Sequence, residues 1–336
     1  MRLLSSNLAA VACCLLTVLG LAAGRAQDRQ DPPPREPADA AAVERWLGEL
    51  SNWGRWGEDD QLGTINLITP EVRRRAAALV TQGVAVSLAH ATLSEEAPDN
   101  PNPYGHEVVL HGESRGQWAV DRLSVLFHGY AHSHLDAVCH MFHDGKMYNG
   151  FPRSEVDEEG CGKLAIDVLQ PGIFTRGLLV DVPRLRGVSW LEPGEPIYPE
   201  ELEAWEDETG IEVRAGDALL IRTGRWARRA AEGPWNVAAH SAGLHASSVR
   251  FLKERGVSVI GSDVAIDVFP SGVDGVSHPV HLLVLVGLGM PIFDNLDLEA
   301  VAAEAARQER WEFLLTAAPL PVPGGTGSPL NPLAIF

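Results

Sequence analysis

"LFHGYAHSHLDAVCHMFHDG", residues Leu126 to Gly145, holds five of the twelve histidines in a chain of 336 residues. Along an extended strand successive side chains alternate between faces, so residues two apart share one side. His132, His134 and Asp136 would then point the same way at steps of about 6.6 Å. Two or three of them could hold one ion, whose bonds run at roughly 2.0–2.2 Å. His128, His132, Asp136 and His140 are also spaced four apart, as on one face of a helix. Gly129, Tyr130 and Ser133 make a poor helix, however, so a strand or strand-loop is expected. Imidazole with carboxylate suits zinc, manganese or iron(II) and does not form the all-oxygen cage of a hard cation. The bland alternative is a chance gathering of solvated histidines. The apolar "LSVLF" (Leu123 to Phe127) that leads into the cluster favours metal binding instead.

Outward from the cluster, short apolar runs alternate with helical patterns. "VAVSLA" (Val84 to Ala89), "HEVVLH" (His106 to His111) and "LSVLF" read as strands, while "GLLVDV" (Gly177 to Val182), "DALLIRTG" (Asp217 to Gly224) and "VSVIGSDVAID" (Val257 to Asp267) read as strands buried on both faces. Thr69-Pro70-Glu71 is a helix start, and "ASSVRFLKERG" (Ala246 to Gly256) a helix with a glycine stop. A further helix is expected over Ala40 to Leu50. "PVHLLVLVGLG" (Pro279 to Gly289) fits helix or strand by pattern alone. The proline- and glycine-punctuated tail from Pro319 runs extended. With no repeat and no internal linker, one mixed α/β domain is expected.

The first 26 residues read as an export signal: Arg2, an apolar run from Leu8 to Ala23, then Gly24-Arg25-Ala26 before Gln27. The run is shorter than the roughly 20 apolar residues of a membrane span. Residues 27–42, "QDRQDPPPREPADAAA", read as a flexible leader, leaving 43–336 as the domain. A periplasmic or secreted location follows, with no membrane partner once the signal is removed. Of four cysteines, Cys13 and Cys14 leave with the signal. Cys139 and Cys161 remain, too few for a disulfide scaffold; an oxidising compartment would allow a single bridge between them, and two free or loosely constrained thiols are the favoured state. A formal charge of −18 argues against nucleic acid and anionic lipid surfaces, which demand basic patches.

"YAHSHLDAVCH" resembles a variant of the signature H-x-G-T-H-x-D-x-P-x-H of the cyclase/kynurenine formamidase family of metal-dependent hydrolases, which includes isatin hydrolases. "RGLLVDV", "AGDALLIRTG", "AGLHASSVRFLKERGVSVIGSDVAID", "VHLLVLVGLGMPIFDNLDLE" and "APLPVPGGTGSPLNPLAI" resemble successive family blocks in family order, so that the resemblance runs from about Trp53 to the C-terminus. It implies a single mixed-sheet α/β domain of the cyclase type (swivelling β/β/α-like), assembled as a dimer or tetramer. It implies one or two divalent ions, zinc or manganese, and a small-molecule substrate resembling N-formylkynurenine or isatin, as in tryptophan catabolism. His134 and Asp136 fall on ligand positions. His140 falls on the family's general base or proton shuttle, and His281 and Asp294 on the later ligand pair, where Asp294 is one carbon shorter than the family's glutamate. Tyr130 stands where the signature has its first histidine, His132 at its glycine and Val138 at its proline. His132, or His128 across a bend, is expected to replace that first ligand.

Such a site would lower the pKa of bound water towards about 7 and polarise a carbonyl, with His140 carrying the proton. The expected reaction is hydrolysis of a C–N bond in an amide, formamide or cyclic imide or lactam. Tyr130, Phe142, Trp53 and Trp56 are candidates for contacting an aromatic substrate. Two rivals stand beside this reading. "GESRG" (Gly112 to Gly116) matches the nucleophile-elbow pattern G-x-S-x-G and would make Ser114 the nucleophile of a serine hydrolase. A protein that kept the fold and lost turnover would be a metal or small-molecule binder. His240 and His245 read as capping or surface residues, Asp263 and Asp267 as structural, and Arg176 as paired with an acid. "HEVVLH" is not the zinc-protease H-E-x-x-H, since its second histidine comes one residue late.

Overall fold

A computed structural model describes residues 38–111 and 116–336. The expected signal, the leader up to residue 37 and Ser114 lie outside the described residues. The described residues belong to the unit Pro37–Phe336. The strands, in chain order, are β1 (Ala85–Ser87), the hairpin β2 (Gly105–His111) and β3 (Trp118–Ser124), β4 (His134–Asp136), β5 (Ile173–Asp181), β6 (Ala218–Arg222), β7 (Val259–Ser262), β8 (Ile292–Asp294), β9 (Glu312–Ala317), β10 (Gly327–Pro329) and β11 (Leu333–Ile335). All but the hairpin form one nine-stranded sheet in the order β1-β11-β9-β5-β6-β7-β8-β4-β10. Its centre, β5 to β8, is parallel, and the strands on either side are antiparallel. Three short strand pairs, the β2–β3 hairpin among them, lie outside this sheet.

The central strands are apolar on both faces because both faces are covered. Leu178, Val180, Leu219, Ile221, Ile260 and Ile292 enter one core. Their neighbours Leu179, Leu220, Val259 and Phe293, with Leu135 and Leu315, enter the other. Each core is closed by helices. α1 (Ala40–Leu50) is capped by Asp39 and buries Val43 and Trp46. α2 (Pro70–Ala77) starts under the Thr69 hydroxyl, which accepts from the Val72 amide. α3 (Pro199–Thr209) buries Leu202 and Trp205. α4 (Arg225–Glu232), α5 (Val249–Arg255) and α6 (Glu299–Gln308) complete the cover.

The ambiguous run from Pro279 is helical: a turn at Pro279–His281 widens into a π-helix at Leu282–Leu288, every residue of which is buried. Burial on all sides removes the periodicity that separates helix from strand. Other expectations need correction. The strand placed at Leu123 to Phe127 is β3, which ends at Ser124, and Leu126 is exposed. Ala40–Ala42 of the expected leader belong to α1, where Ala42 is buried against the core. Cys139 and Cys161 are not free: they are disulfide-bonded, their Cα atoms 6.6 Å apart. That spacing is within bonding reach, and the approach of the 138–140 turn to the 160–161 strand could not be read across a sequence separation of 22.

Gly63 seats the segment before α2 against the end of the 279–288 helix. Its φ is +54°, and a Cβ there would lie 1.8 Å from the Gly289 carbonyl oxygen. That oxygen accepts from the Thr64 amide at 2.9 Å. The collision is with backbone, which cannot swing aside. Gly63→Ala is expected to cost about 2–4 kcal/mol, seen as a lower urea midpoint with an unchanged denaturant slope.

Candidate metal centre

β4 is short, and its alternation divides three residues between two jobs. Leu135 faces the second core, while His134 and Asp136 face the opposite side. The register with β8 sets Asp294 directly across from His134. On its other edge β4 pairs with β10, placing Gly327 opposite Asp136. A Cβ on Gly327 would lie 2.9 Å from Cε1 of His128, so the bare backbone leaves room for that ring. His128 arrives from the chain after β3, His140 from the turn Val138–His140, and His281 from the first turn of the 279–288 helix.

All converge on Asp136, a fully buried carboxylate. Its Oδ1 lies 2.9 Å from Nδ1 of His128 and 3.3 Å from Nε2 of His134. Its Oδ2 lies 3.7 Å from Nε2 of His281 and 4.0 Å from Nε2 of His140. Asp294 Oδ2 is 3.4 Å from the same His281 nitrogen. His128 Nδ1, Asp136 Oδ1 and Asp294 Oδ1 are all buried without a partner in hydrogen-bonding geometry. Two donor sets share Asp136, one with His134 and Asp294 and one with His128 and His140, and within each set the ligand atoms lie inside 4.8 Å of one another. Ligand atoms bonded to a common ion at about 2.0–2.2 Å fall at this kind of spacing.

The outward nitrogens of His134, His128 and His281 are already committed. His134 donates from Nδ1 to the His132 carbonyl at 2.8 Å. Nε2 of His128 meets the Thr326 hydroxyl at 3.0 Å. Nδ1 of His281 meets Asp267 at 2.6 Å, and Asp267 also accepts the amides of Val280 and His281. Second partners of this kind fix the tautomer and aim the free nitrogen at a metal. Burial opposes ionisation of Asp136, but the surrounding imidazoles outweigh it and hold its carboxyl well below the usual range. Burial would lower His281, yet Asp136, Asp267 and Asp294 together raise it well above an ordinary histidine. Three carboxylates about one imidazole make a pocket of surplus negative charge. A divalent cation would balance it, and the residues present fit one. His140 is different: burial pushes it down to about 4, leaving a neutral ring at pH 7.

The cluster floors a cleft of about 370 Å³ walled by Tyr130, Met141, Ala265 and His278. Of the residues singled out in the sequence, His128, His134, Asp136, His140, His281, Asp294 and Tyr130 meet here. His132 does not. It lies just before β4, so the alternation does not extend to it, and its ring turns towards Tyr104. His128 brings the additional imidazole, stacked on His140 at 3.9 Å. Phe142 and Trp53 also fall outside the cleft: Arg153 lies over Phe142, and the Trp53 indole donates to the Val286 carbonyl. Asp267 proves to orient His281 rather than merely brace the fold. Its place after a buried strand, where site groups collect, was the available signal. His278 and Thr326 carried none. Arg225 and Asn295 hold the loop in place: Asn295 donates to the Gly129 carbonyl at 2.7 Å, and Arg225 donates to the Tyr130 carbonyl and to the Asn295 side chain.

Residues 86–268 match the Cyclase family. A crystal structure described as a novel cyclase superposes with a TM-score of 0.77 and 31% sequence identity, covering 85% of this chain and all of that one. The chain belongs to the cyclase family. Similar in fold are isatin hydrolase A from Ralstonia solanacearum, at a TM-score of 0.54, 22% identity and coverage of 79% and 97%, and an isatin hydrolase bound to the product analogue thioisatinate, at 0.53, 20%, 77% and 94%. No curated protein matches the chain.

Removing the carboxylate behind His281 should loosen the site without dismantling it. Asp267→Asn is expected to weaken zinc binding roughly 10- to 100-fold, measured by calorimetric titration, with the circular dichroism spectrum unchanged.

Proposed function

We propose that the chain is a metal-dependent hydrolase that cleaves a C–N bond in a small amide, formamide or cyclic imide or lactam. The observation that carries this reading is the convergence of buried, unpartnered donors on Asp136 at the floor of an open cleft. His134, Asp136 and Asp294, with His128 and His281, would hold the ion, for which zinc and manganese suit the donor set. Bound there, a divalent cation supplies acidified water and polarisation of a carbonyl.

The remaining steps belong to the chain's own groups. His140, neutral at pH 7, accepts the water proton at Nε2 and returns it to the leaving nitrogen. Burial raises the Tyr130 phenol, so it keeps its proton and offers an O–H donor at the cleft wall. The cleft is of a size for one compact molecule, which agrees with a formyl-anilide or a fused-ring lactam. The fold shared with isatin hydrolases is consistent with that class. We also infer export, with residues 1–26 removed, from the positive start, the apolar run and the small residues before Gln27.

Zinc- or manganese-loaded protein is expected to hydrolyse members of a panel of N-formyl-anilides and cyclic imides, and chelation followed by metal return should abolish and restore turnover. Asp136→Asn should lose both metal and activity. His140→Gln should retain metal while kcat drops about 10²- to 10⁴-fold. Full activity in that variant removes His140 from the reaction, and tight metal without turnover on any substrate identifies a binder. Ser114→Ala should leave activity near wild type, whereas its loss would favour the serine hydrolase. N-terminal sequencing of protein recovered from a bacterial periplasm should begin at Gln27, and an intact Met1 in the cytosol would refute export.

A further inference from the structure

The cleft above the cluster is divided in character. Asp136 and Asp294, ringed by imidazoles, are the acids at its floor. The walls are Gly129, Tyr130, Met141, Ala265 and His278. Among the described residues, no lysine or arginine lines this cleft. The cations that follow His140 in the chain are engaged elsewhere: Lys146 lies over the Trp53 ring and Arg153 over the Phe142 ring. Arg225 touches the cleft loop through the Tyr130 carbonyl, and its fully buried guanidinium also serves Asn295 and Asp99. Phe269 braces the wall, set edge-on to the Tyr130 ring at 6.1 Å and to the His278 ring at 4.9 Å.

We propose that this cleft selects amides and lactams that carry no anionic group, and discriminates against those bearing a carboxylate, a sulfonate or an amino-acid tail. The proposal rests on the hydrolytic reading above, with its single divalent ion. Three carboxylates, Asp136, Asp267 and Asp294, surround the His281 imidazole. With the imidazoles bound as neutral ligands, those three charges outweigh the two of one ion. The residual charge of the centre is therefore negative. It adds to the field of a chain whose formal charge is −18.

An anionic tail would shed water on entering and meet no counter-charge, which is the costly case for a buried ion. An uncharged ring meets suitable surfaces at once. Met141 and Ala265 offer apolar cover, and the Tyr130 phenol offers its O–H to a carbonyl. A cleft of about 370 Å³ leaves a compact substrate little room to hold a charged substituent away from the centre. One unit of like charge about 8–10 Å from the centre, at an effective dielectric of about 20, weakens binding roughly 10- to 30-fold.

Probes matched in size and differing only in charge test the proposal on metal-loaded protein. The kcat/KM for 3-formamidobenzamide should exceed that for 3-formamidobenzoate roughly 10- to 30-fold. In calorimetric titrations, which need no turnover, oxindole-6-carboxamide should bind more tightly than oxindole-6-carboxylate by a similar factor. Met141→Lys, which sets an ammonium on the wall, should shrink or reverse both preferences with the circular dichroism spectrum unchanged. A wild type that handles the carboxylates as well as the carboxamides overturns the proposal. So does a folded Met141→Lys protein with the wild-type preference. Absence of turnover on both formamides refutes the hydrolase instead, and the oxindole pair then still decides the charge preference by binding alone.

Discussion

A buried carboxylate is expensive unless something answers its charge, and Asp136 is answered because four imidazoles, three from residues 128–140 and His281 from the 279–288 helix, are brought to it. Two more carboxylates, Asp294 and Asp267, crowd the same imidazole of His281. Protons alone satisfy this arrangement poorly: several donors point inwards and bond to nothing. The fold thus holds a cluster whose inward-facing atoms a cation would answer, and the proposed chemistry would run in that state.

The surrounding architecture reads as support for that single constraint. Pairing on both edges pins β4, so His134 and Asp136 cannot turn to the other face without exposing Leu135. Glycine at 327 leaves the space His128 needs. Thr326, Asp267 and the His132 carbonyl each occupy the ring nitrogen that is not wanted at the centre. Arg225 and Asn295 anchor the carbonyls of Tyr130 and Gly129, and with them the loop between His128 and β4. The disulfide from Cys139 ties the turn that presents His140 to the 160–161 strand. None of these groups touches the centre of the cleft, yet each removes a freedom that would blur it.

Much of this was legible from local pattern. Runs apolar on both faces announced the central strands, and Thr69-Pro70 announced α2, because capping and two-sided burial act over a few residues. His134, Asp136 and His140 were exposed by their spacing and by resemblance. His132 shows where that reasoning stops. Alternation holds only while a strand lasts, and β4 begins after it, so the ring that alternation placed beside Asp136 turns away. Phe142 and Trp53 illustrate a second limit, since aromaticity suggests stacking while packing assigns these rings to other neighbours.

From the chain alone came the family likeness, the donor types and most of the elements, all of which depend on residue chemistry and short-range spacing. The tertiary structure decided that His128 supplies the extra imidazole, that Asp267 aims His281, that Cys139 meets Cys161, and that 279–288 is a helix. Those outcomes depend on segments far apart in sequence being packed together, and close approach across a sheet leaves no trace in the spacing of either partner.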